Sequence, residues 1–339
     1  MAPFLRNAWY VAGWGEEVAD ELLVRKILGI SLVFFRTSDG RVAALEDRCP
    51  HRYAPLSLGI RKPDSLQCHY HGLTFDAQGA CVDNPLGGRI PAACKVSSFP
   101  VVEQDTILWI WMGDAARADT TLIPRFEFFN DPGMRNVRGY TWAKAHYELM
   151  TDNLMDLTHA RFLHPCFGGD HYNPSNTMEV DGDQVISHYL VQDVENPEFP
   201  EVAWSSHGKN VDLWDDIRWI APAILSLDSG VVLTGRPRSE GCSIPSAHLL
   251  TPETEGSTHY FWGSGVAVES PLDADGLRAV LSQAFDTEDK PMIEAAFERM
   301  EGHDFWALKP VLLPTDAPGI RVRRILAEKI KREAEQCAA

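Results

Sequence analysis

Two short stretches of this 339-residue sequence each place a cysteine and a histidine close together. Cys49 and His51 lie in "CPH", and Cys68 and His71 lie in "CHYH", which begins 17 positions after His51. Thiolates and imidazoles both bind zinc, so a structural zinc site is one interpretation. Zinc sites usually pair their cysteines and group their histidines separately, whereas here each stretch supplies one of each. This pattern favours a [2Fe–2S] centre in which two cysteines bind one iron and two histidines bind the other.

A second set of metal-binding residue types lies in "TDNLMDLTHARFLH", residues 151–164. On a helix, Asn153, Asp156 and His159 follow one another at i, i+3 steps and share one face. His164 lies five positions beyond His159 and is followed by a proline, so it joins His159 at one metal only if the helix loosens or ends there. Two histidines and one carboxylate would suit a non-haem Fe(II) with open coordination positions. The alternative is that these are ordinary polar residues of a helix.

The elements that must position these residues change in character along the chain. Up to about residue 112, short β-branched and aromatic runs such as "TILWIWMG" alternate with turn sequences such as "PLGG", which predicts a β domain carrying both Cys/His stretches on loops. We expect an α+β fold in which residues 1–112 form this small domain and residues 113–339 form a catalytic domain, an antiparallel sheet flanked by helices. The later domain is predicted to contain strands at 184–193, 217–234, 244–250 and 257–268, and helices at 140–164, 273–301 (interrupted by Pro291) and 320–336.

Composition argues against several classes of partner. The net charge of −17 disfavours nucleic acid and anionic membrane surfaces, since both attract basic faces. No apolar run approaches the ~20 residues of a membrane span, and the N-terminal residues lack the pattern of a signal peptide. Seven cysteines are an odd number and do not suggest a disulfide framework. We therefore expect a cytoplasmic protein with reduced thiols.

Taken together, the motifs resemble those of the oxygenase components of Rieske non-haem iron oxygenases. The resemblance covers nearly the whole chain, and the segments that carry it are "NAWYVA" at 7–12, "CPHRYAPLSLG" at 49–59, "CHYHGL" at 68–73, "NLMDLTH" at 153–159 and "LLTPETEGSTHYFWG" at 249–263. The first four indicate the superfamily. The opening hexapeptide and the last segment are most similar to the vanillate O-demethylase and dicamba monooxygenase group.

The resemblance implies two metal centres. The residues that match the ligands of the Rieske [2Fe–2S] cluster are Cys49, His51, Cys68 and His71. His159 and His164 match the two histidine ligands of a mononuclear Fe(II), whose third ligand in this family is a carboxylate from a late helix. That helix offers four acids: Asp286, Glu288, Asp289 and Glu294. The "EDK" context matches best at Asp289, which we select as the third ligand.

The resemblance also implies an assembly. Enzymes of this family are typically head-to-tail homotrimers in which the cluster of one subunit faces the iron of the next. Asp156 matches the aspartate that links the two centres, through hydrogen bonds to His159 in its own chain and to His71 of a neighbouring subunit. Orientation of a ligating imidazole by a carboxylate is common around protein-bound metals. Asn153 is expected to support the same site.

The implied reaction is a monooxygenation that uses O₂ and two electrons, one from each centre. On a methoxy carbon it yields an unstable adduct that releases formaldehyde, which is O-demethylation of a vanillate-like methoxylated aromatic acid. The sequence has no G-x-G-x-x-G motif opening a helix after a strand, so the electrons are expected from NAD(P)H through a separate reductase, directly or through a ferredoxin.

The substrate is less well defined than the reaction. A carboxylate on the aromatic ring requires a donor in the pocket, and His248 is preferred over Arg218 and Arg236 because it adjoins "LLTPET". One alternative function is methyl hydroxylation, ring hydroxylation or ether cleavage by the same machinery. A second alternative, from another class, is a non-catalytic metal-binding protein or electron carrier.

Overall fold

The computed structural model describes residues 4–167, 173–195 and 202–338. The chain divides into two compact units. One comprises residues 6–125 together with the short segment 252–254, and the other runs from Phe126 to Thr251 and from Glu255 onward, with the extreme N-terminal residues joined to it. The domain boundary expected after residue 112 stays a prediction.

The smaller unit is built from short strands in three sheets. Their bounds are β1 (Trp9–Trp14), β2 (Leu23–Ile27), β3 (Ile30–Arg36), β4 (Val42–Glu46), β5 (Ile60–Lys62), β6 (Ser65–Gln67), β7 (Thr74–Asp76), β8 (Cys81–Asp83), β9 (Ser98–Phe99), β10 (Val101–Gln104) and β11 (Ile107–Trp111). The sheet orders are β1-β11-β10, β2-β3-β4-β9 and β5-β6-β7-β8. The last two sheets enclose a core of Val33, Phe35, Leu45 and Phe75, and this core also contains the two cysteines of the Cys/His loops.

The larger unit is dominated by a seven-stranded sheet of order β12-β18-β17-β16-β15-β14-β13. Its strands are β12 (Met134–Ala143), β13 (Ser175–Asp181), β14 (Gln184–Val194), β15 (Val211–Ile220), β16 (Ile224–Leu233), β17 (Cys242–Thr254) and β18 (Ser257–Ala267). Strands that follow one another from β13 to β18 are neighbours, and β12 pairs antiparallel with β18. The expected α+β fold, with a β domain followed by a large antiparallel sheet and helices, is confirmed.

The helices of the larger unit carry much of the candidate site. They are α1 (Tyr147–Met155), α2 (Ala160–Leu163), α3 (Ala274–Ser282), α4 (Lys290–Arg299) and α5 (Ala317–Ala338), with a π-helical segment, Gln283–Asp289, joining α3 to α4. Among the described residues, no helix combines the length and the apolar character needed to cross a membrane.

Two predicted elements differ from the structure. Residues 140–143 belong to β12 and not to the predicted helix 140–164, because Thr141 and Ala143 are buried while Tyr140 and Trp142 are exposed, the alternation of a strand. The predicted strand 217–234 is two strands, β15 and β16. They are joined by a turn at residues 221–223, where Pro222 cannot donate to a ladder.

The predicted late helices need smaller corrections. The interruption expected at Pro291 takes the form of the π-helical segment just before it, and Pro291 lies in the first turn of α4, where a missing N–H is tolerated. The C-terminal helix predicted at 320–336 begins earlier and ends later, as α5.

An ion cluster around the buried Arg323 joins α5 to α1. The guanidinium of Arg323 donates to the carboxylate of Asp152 at 2.6–3.0 Å and to that of Glu148 at 2.7 Å. Burial raises the pKa of both carboxyl groups, and the adjacent guanidinium opposes that rise. Because α1 also carries Asn153, this cluster fixes one wall of the site described below.

Replacement of Arg323 by methionine is expected to lower the free energy of unfolding by about 1–3 kcal/mol, because it leaves two half-buried carboxylates without their cation. Urea unfolding at pH 7.5 measures the loss. The deficit should shrink at pH 5, since protonated carboxyl groups are easier to bury and the folded variant then takes up protons. The control is Arg332→Met, which breaks an exposed pair with Glu328 on the same helix and should change stability by about 0.5 kcal/mol or less. Equal losses in the two variants would contradict a dominant role for the Arg323 cluster.

Candidate metal centres

The two Cys/His loops have the same main-chain hydrogen-bond pattern. The N–H of Cys49 donates to the carbonyl oxygen five residues later (2.9 Å), and its own carbonyl accepts from the N–H of Tyr53 (2.8 Å). Cys68 repeats both bonds, at 2.8 Å to the carbonyl five residues later and at 2.9 Å from the N–H of Gly72. Tyr53 and Gly72 both have positive φ, 59° and 79°. Each cysteine therefore opens a tight turn of the same form, although the histidine is one position later in the second loop.

The donor atoms of these loops differ in burial. Cys49 and Cys68 are 2% and 1% exposed, whereas His51 is exposed and His71 half-buried, with their ring centroids 4.5 Å apart. Burial raises the pKa of the Cys49 thiol, and the neighbouring Cys68 adds to the rise. The pair of buried thiols beneath two more exposed imidazoles fits a two-iron cluster with cysteine on one iron and histidine on the other.

A single zinc ion fits this arrangement less well. Four ligands at bonds of about 2.0–2.3 Å must all lie within about 4 Å of one another. Within the part of the chain that the structure describes, the donors of the two loops do not form a group of three or more that all lie within 4.8 Å of one another. Donors spread over a larger distance suit a cluster with two metal ions.

The second candidate centre lies where two helices, α1 and α2, end in succession. Helix α1 ends at Met155, and Asp156 has φ −120° and ψ 89°. A 3₁₀ turn then leads through His159 into α2, which ends before His164, with φ −118° and ψ 77°. The expectation that Asn153, Asp156 and His159 share one helical face is wrong, because the helix stops between them. The end of the helix at His164 is confirmed.

Three electron-pair donors converge at this point. Nε2 of His159 lies 3.2 Å from Nε2 of His164, and Oδ1 of Asp289 lies 3.4 Å and 3.2 Å from these two atoms. The other ring nitrogens face acceptors: His159 Nδ1 is 2.5 Å from the carbonyl oxygen of Asp156, and His164 Nδ1 is 2.7 Å from Oε2 of Glu288. With Nδ1 of each ring donating to these acceptors, the Nε2 lone pair of each ring would be available to a metal ion.

This arrangement fits a metal ion. Donor atoms at right angles on bonds of about 2.0–2.2 Å lie about 3 Å apart, close to the observed spacing. Burial opposes ionisation of Asp289, but the contacts with His159 and His164 outweigh it, so the pKa of Asp289 lies below its ordinary value. Asn153 donates to the same carboxylate from Nδ2 at 3.0 Å. Two neutral imidazoles and one carboxylate are the donor set of a non-haem Fe(II) site with open positions.

The four acids of the late helix have different contact partners. Asp289 alone joins the two histidines in a group whose ligand atoms all lie within 4.8 Å, as far as the described residues go. Glu288 contacts His164 from the other side of its ring. Asp286 accepts from a threonine hydroxyl of β12 at 2.5 Å, and Glu294 accepts from the backbone N–H that follows β12 at 2.7 Å. The geometry supports the selection of Asp289 over the other three, and its role as a ligand stays a prediction.

Asp156 makes a different contact from the expected one. Its carboxylate accepts from the backbone N–H (3.0 Å) and the hydroxyl (2.5 Å) of Thr158, and the contact with His159 comes from its carbonyl oxygen. The expected side-chain hydrogen bond to His159 is therefore wrong, because the carboxylate caps the 3₁₀ turn. A hydrogen bond from Asp156 to His71 of a neighbouring subunit stays a prediction.

A largely apolar cavity of about 150 Å³ opens beside the three donors. This volume is similar to that of engineered apolar cavities that bind benzene. Most of its wall comes from aliphatic and aromatic side chains, including Leu157, Leu213, Leu227, Ile244, Leu281 and Phe285. The space beside the candidate metal site is therefore suited to one aromatic ring.

His248 lines this cavity and is fully buried. Its Nδ1 is 2.6 Å from the hydroxyl of Tyr260, and its Nε2 has no hydrogen-bond partner among the residues that the structure describes. Burial lowers the pKa of His248 to about 4, so the ring is neutral at pH 7. A buried tyrosine proton needs an acceptor, and Nδ1 provides one, which leaves the proton of His248 on Nε2. His248 thus carries a buried N–H donor in the wall of the cavity, whereas Arg218 and Arg236 do not line it.

Two contacts escaped sequence reasoning. The first is the contact of Tyr260 with His248. Tyr260 lies in β18, which is buried on both faces along nearly its whole length, so no alternation of polar and apolar residues distinguishes it. The second is the contact of Glu288 with His164, since the sequence indicates Glu288 only as a candidate metal ligand. This contact depends on the π-helical segment, which no sequence pattern indicates.

Comparison with protein-family models finds two matches. Residues 8–100 match the Rieske [2Fe–2S] domain. Residues 143–332, more than half of the chain, match the vanillate O-demethylase oxygenase C-terminal domain. The order of the two matches is that of the two compact units.

Relatives extend over essentially the full chain. The oxygenase component of dicamba O-demethylase from Stenotrophomonas maltophilia is 41% identical and covers 98% of this chain and 99% of its own. The oxygenase component of chloroacetanilide N-alkylformylase from Rhizorhabdus wittichii is 38% identical, with 97% of both chains covered. The crystal structure of dicamba monooxygenase bound to 3,6-dichlorosalicylic acid superposes with a TM-score of 0.90 at 38% identity, covering 98% of this chain and 99% of that one. The chain therefore belongs to the Rieske non-haem iron oxygenases, as an oxygenase component of the group that contains vanillate and dicamba O-demethylases.

Proposed function

We propose that this enzyme is the terminal oxygenase that O-demethylates a methoxylated aromatic acid, releasing formaldehyde. The observation that carries the proposal is the convergence of His159, His164 and Asp289 beside an apolar cavity the size of one aromatic ring. Relatives of this chain act in O-demethylation, of dicamba and vanillate, or in N-dealkylation, of chloroacetanilides.

In this proposal the two centres are held by different parts of the chain. The cluster ligands are Cys49, His51, Cys68 and His71. Fe(II) is held by Nε2 of His159, Nε2 of His164 and Oδ1 of Asp289, with Asn153 as a donor to the same carboxylate. When bound, the cluster supplies single electrons and the Fe(II) supplies activation of O₂.

The chain itself selects and orients the substrate. The apolar wall takes up the aromatic ring and excludes water from the reacting carbon. The Nε2–H of His248 donates to an acceptor on the ring, a carboxylate oxygen in the proposed substrate, and Tyr260 holds the imidazole in the tautomer that makes this possible. The methoxy group then points toward the side of the cavity that carries the three metal donors.

A second candidate activity is N-dealkylation of an aromatic amide. It is favoured by the 38% identity to the chloroacetanilide enzyme over 97% of both chains and by the neutral donor at His248, which suits a carbonyl oxygen as well as a carboxylate. Methyl or ring hydroxylation and ether cleavage by the same site remain alternatives on other substrates.

Electron supply and assembly complete the proposal. An oxygenase component works with a reductase, directly or through a ferredoxin, which draws on NAD(P)H. We propose a homotrimer in which Asp156 accepts a hydrogen bond from His71 of a neighbouring subunit. Because the carboxylate of Asp156 caps the short turn Leu157–His159, a hydrogen bond to that carboxylate would influence the position of His159, a proposed iron ligand.

The substrate class can be tested with the purified protein, a compatible reductase and NADH. Methoxybenzoates and methoxyphenols are screened for formaldehyde released against O₂ consumed. The proposal predicts about one formaldehyde per O₂ for the best methoxybenzoate, since one oxygen atom enters the methyl carbon. Loss of an N-alkyl group from an anilide with no turnover of methoxy acids would favour the second candidate. Full O₂ uptake without any dealkylated product would contradict both.

Replacement of Asp289 by alanine should remove the mononuclear iron and leave the cluster intact. Total iron is expected to fall from about three to about two atoms per chain, because one of three protein ligands is lost, while the visible spectrum of the cluster is unchanged. Asp286→Asn is the matched control, since its carboxylate binds a hydroxyl of β12, and it should retain all the iron. Full occupancy in the Asp289 variant would contradict the ligand assignment.

His248→Phe keeps the ring and removes the donor. It is expected to reduce kcat/KM for an acid substrate by about 10–100-fold, as lost hydrogen bonds to charged groups cost about 1.5–3 kcal/mol. Tyr260→Phe removes the hydroxyl that fixes the tautomer of His248 but keeps the imidazole, so it should reduce kcat/KM by a smaller factor. Metal content should be unchanged in both variants. A His248→Phe enzyme with wild-type kcat/KM would remove this residue from substrate recognition.

A further inference from the structure

Both nitrogens of the His164 ring face carboxylates from consecutive residues. Nε2 lies 3.2 Å from Oδ1 of Asp289, and Nδ1 lies 2.7 Å from Oε2 of Glu288. His164 is 4% exposed and Asp289 6%, so the ring is enclosed between the two acids with little access to water.

An ordinary α-helix does not present consecutive side chains in this way, because successive residues are rotated by about 100° around its axis. Glu288 and Asp289 lie in the π-helical segment Gln283–Asp289. A π-helix is a rare element, in which the hydrogen bonds run to the fifth residue, and it is found frequently at functional sites. Here the wider turn brings both acids to the same imidazole.

A second residue of the same segment, Gln283, also contacts the Glu288 carboxylate. Gln283 Nε2 donates to Oε1 of Glu288 at 3.1 Å, and the two residues are five positions apart, one step of the π-helical hydrogen-bond pattern. Each oxygen of the Glu288 carboxylate therefore has a fixed partner, one on the helix and one on the ring. A carboxylate held at both oxygens has little freedom to turn away from His164.

We infer that Glu288, held by Gln283, is a positioning residue for the mononuclear iron, an inference that rests on the proposed Fe(II) site. Its carboxylate accepts a hydrogen bond from the Nδ1–H of His164, which fixes the plane of the ring and the tautomer and leaves Nε2 as the stronger donor toward the metal. Partners of this kind commonly contribute about 10–100-fold to metal affinity. His159 has a different partner, the carbonyl oxygen of Asp156, so the two histidines are oriented by acceptors of unequal charge.

The test uses the full-length protein with its cluster intact. The mononuclear iron is removed with a mild chelator, and retention of the cluster is verified by its visible spectrum. Fe(II) is then titrated under anaerobic conditions, and the electron paramagnetic resonance signal of the nitric oxide adduct reports both occupancy and the symmetry of the site. The variants are Glu288→Leu, Glu288→Gln and Gln283→Leu, with Glu298→Gln, an exposed acid of α4, as the control.

Glu288→Leu is expected to weaken Fe(II) binding by about 10–100-fold and to change the symmetry of the nitric oxide signal. Glu288→Gln, which keeps an acceptor oxygen, should recover part of the affinity, and Gln283→Leu should show a smaller loss than Glu288→Leu. If Glu288→Leu perturbs the cluster spectrum, that variant is not correctly folded, and the inference is then judged on Fe(II) binding by Glu288→Gln and Gln283→Leu. Wild-type affinity and signal symmetry in the Glu288 variants would overturn the inference.

A separate variant distinguishes this failure from failure of the proposed iron site. His159→Ala removes a proposed ligand and should abolish the nitric oxide signal. Wild-type Fe(II) binding by His159→Ala would contradict the iron site itself. Loss of binding in His159→Ala together with unchanged binding in the Glu288 variants would leave the site in place and contradict only the positioning role of Glu288.

Discussion

Three electron-pair donors held within 3.4 Å of one another are the constraint on which the catalytic unit depends. The donor atoms of His159, His164 and Asp289 need a shared cation or proton between them, and the surrounding bonds keep them at this spacing. Those bonds are directional: a carbonyl oxygen holds one imidazole, Glu288 holds the other, and Asn153 donates to the carboxylate. A site arranged in this way needs little reorganisation when a metal ion enters.

The surrounding fold holds the separate parts of the site in place. The histidines follow a helix that stops at Met155, and Asp289 ends a π-helical segment well over a hundred residues later along the chain. Arg323 ties α1 to the C-terminal helix, and Asp286 ties the π-helical segment to β12. These polar contacts are partly buried, where an unpaired group is costly, and a shift of either ligand-bearing segment would break them.

The cluster loops meet a different requirement. Their cysteines are part of the apolar core of the smaller unit, and their histidines lie closer to solvent. Two turns with the same hydrogen bonds hold the thiols at corresponding positions, which needs a positive φ at Tyr53 and at Gly72. Glycine adopts this conformation readily and tyrosine does not, so the surrounding contacts must hold the Tyr53 turn.

The sequence by itself determined the donor types, the order of a β domain before an α+β catalytic domain, and the family, because the Cys/His spacings and the motif around His159 are local features. It also indicated a helix end at His164, since the following proline restricts that residue. The resemblance also selected Asp289 among the late acids, and the tertiary structure brings it to the histidines. Only the tertiary structure decided that the carboxylate of Asp156 caps a turn and that Glu288 holds His164. Those contacts join segments distant in sequence through a helix break and a π-helical segment, and no local preference encodes either geometry.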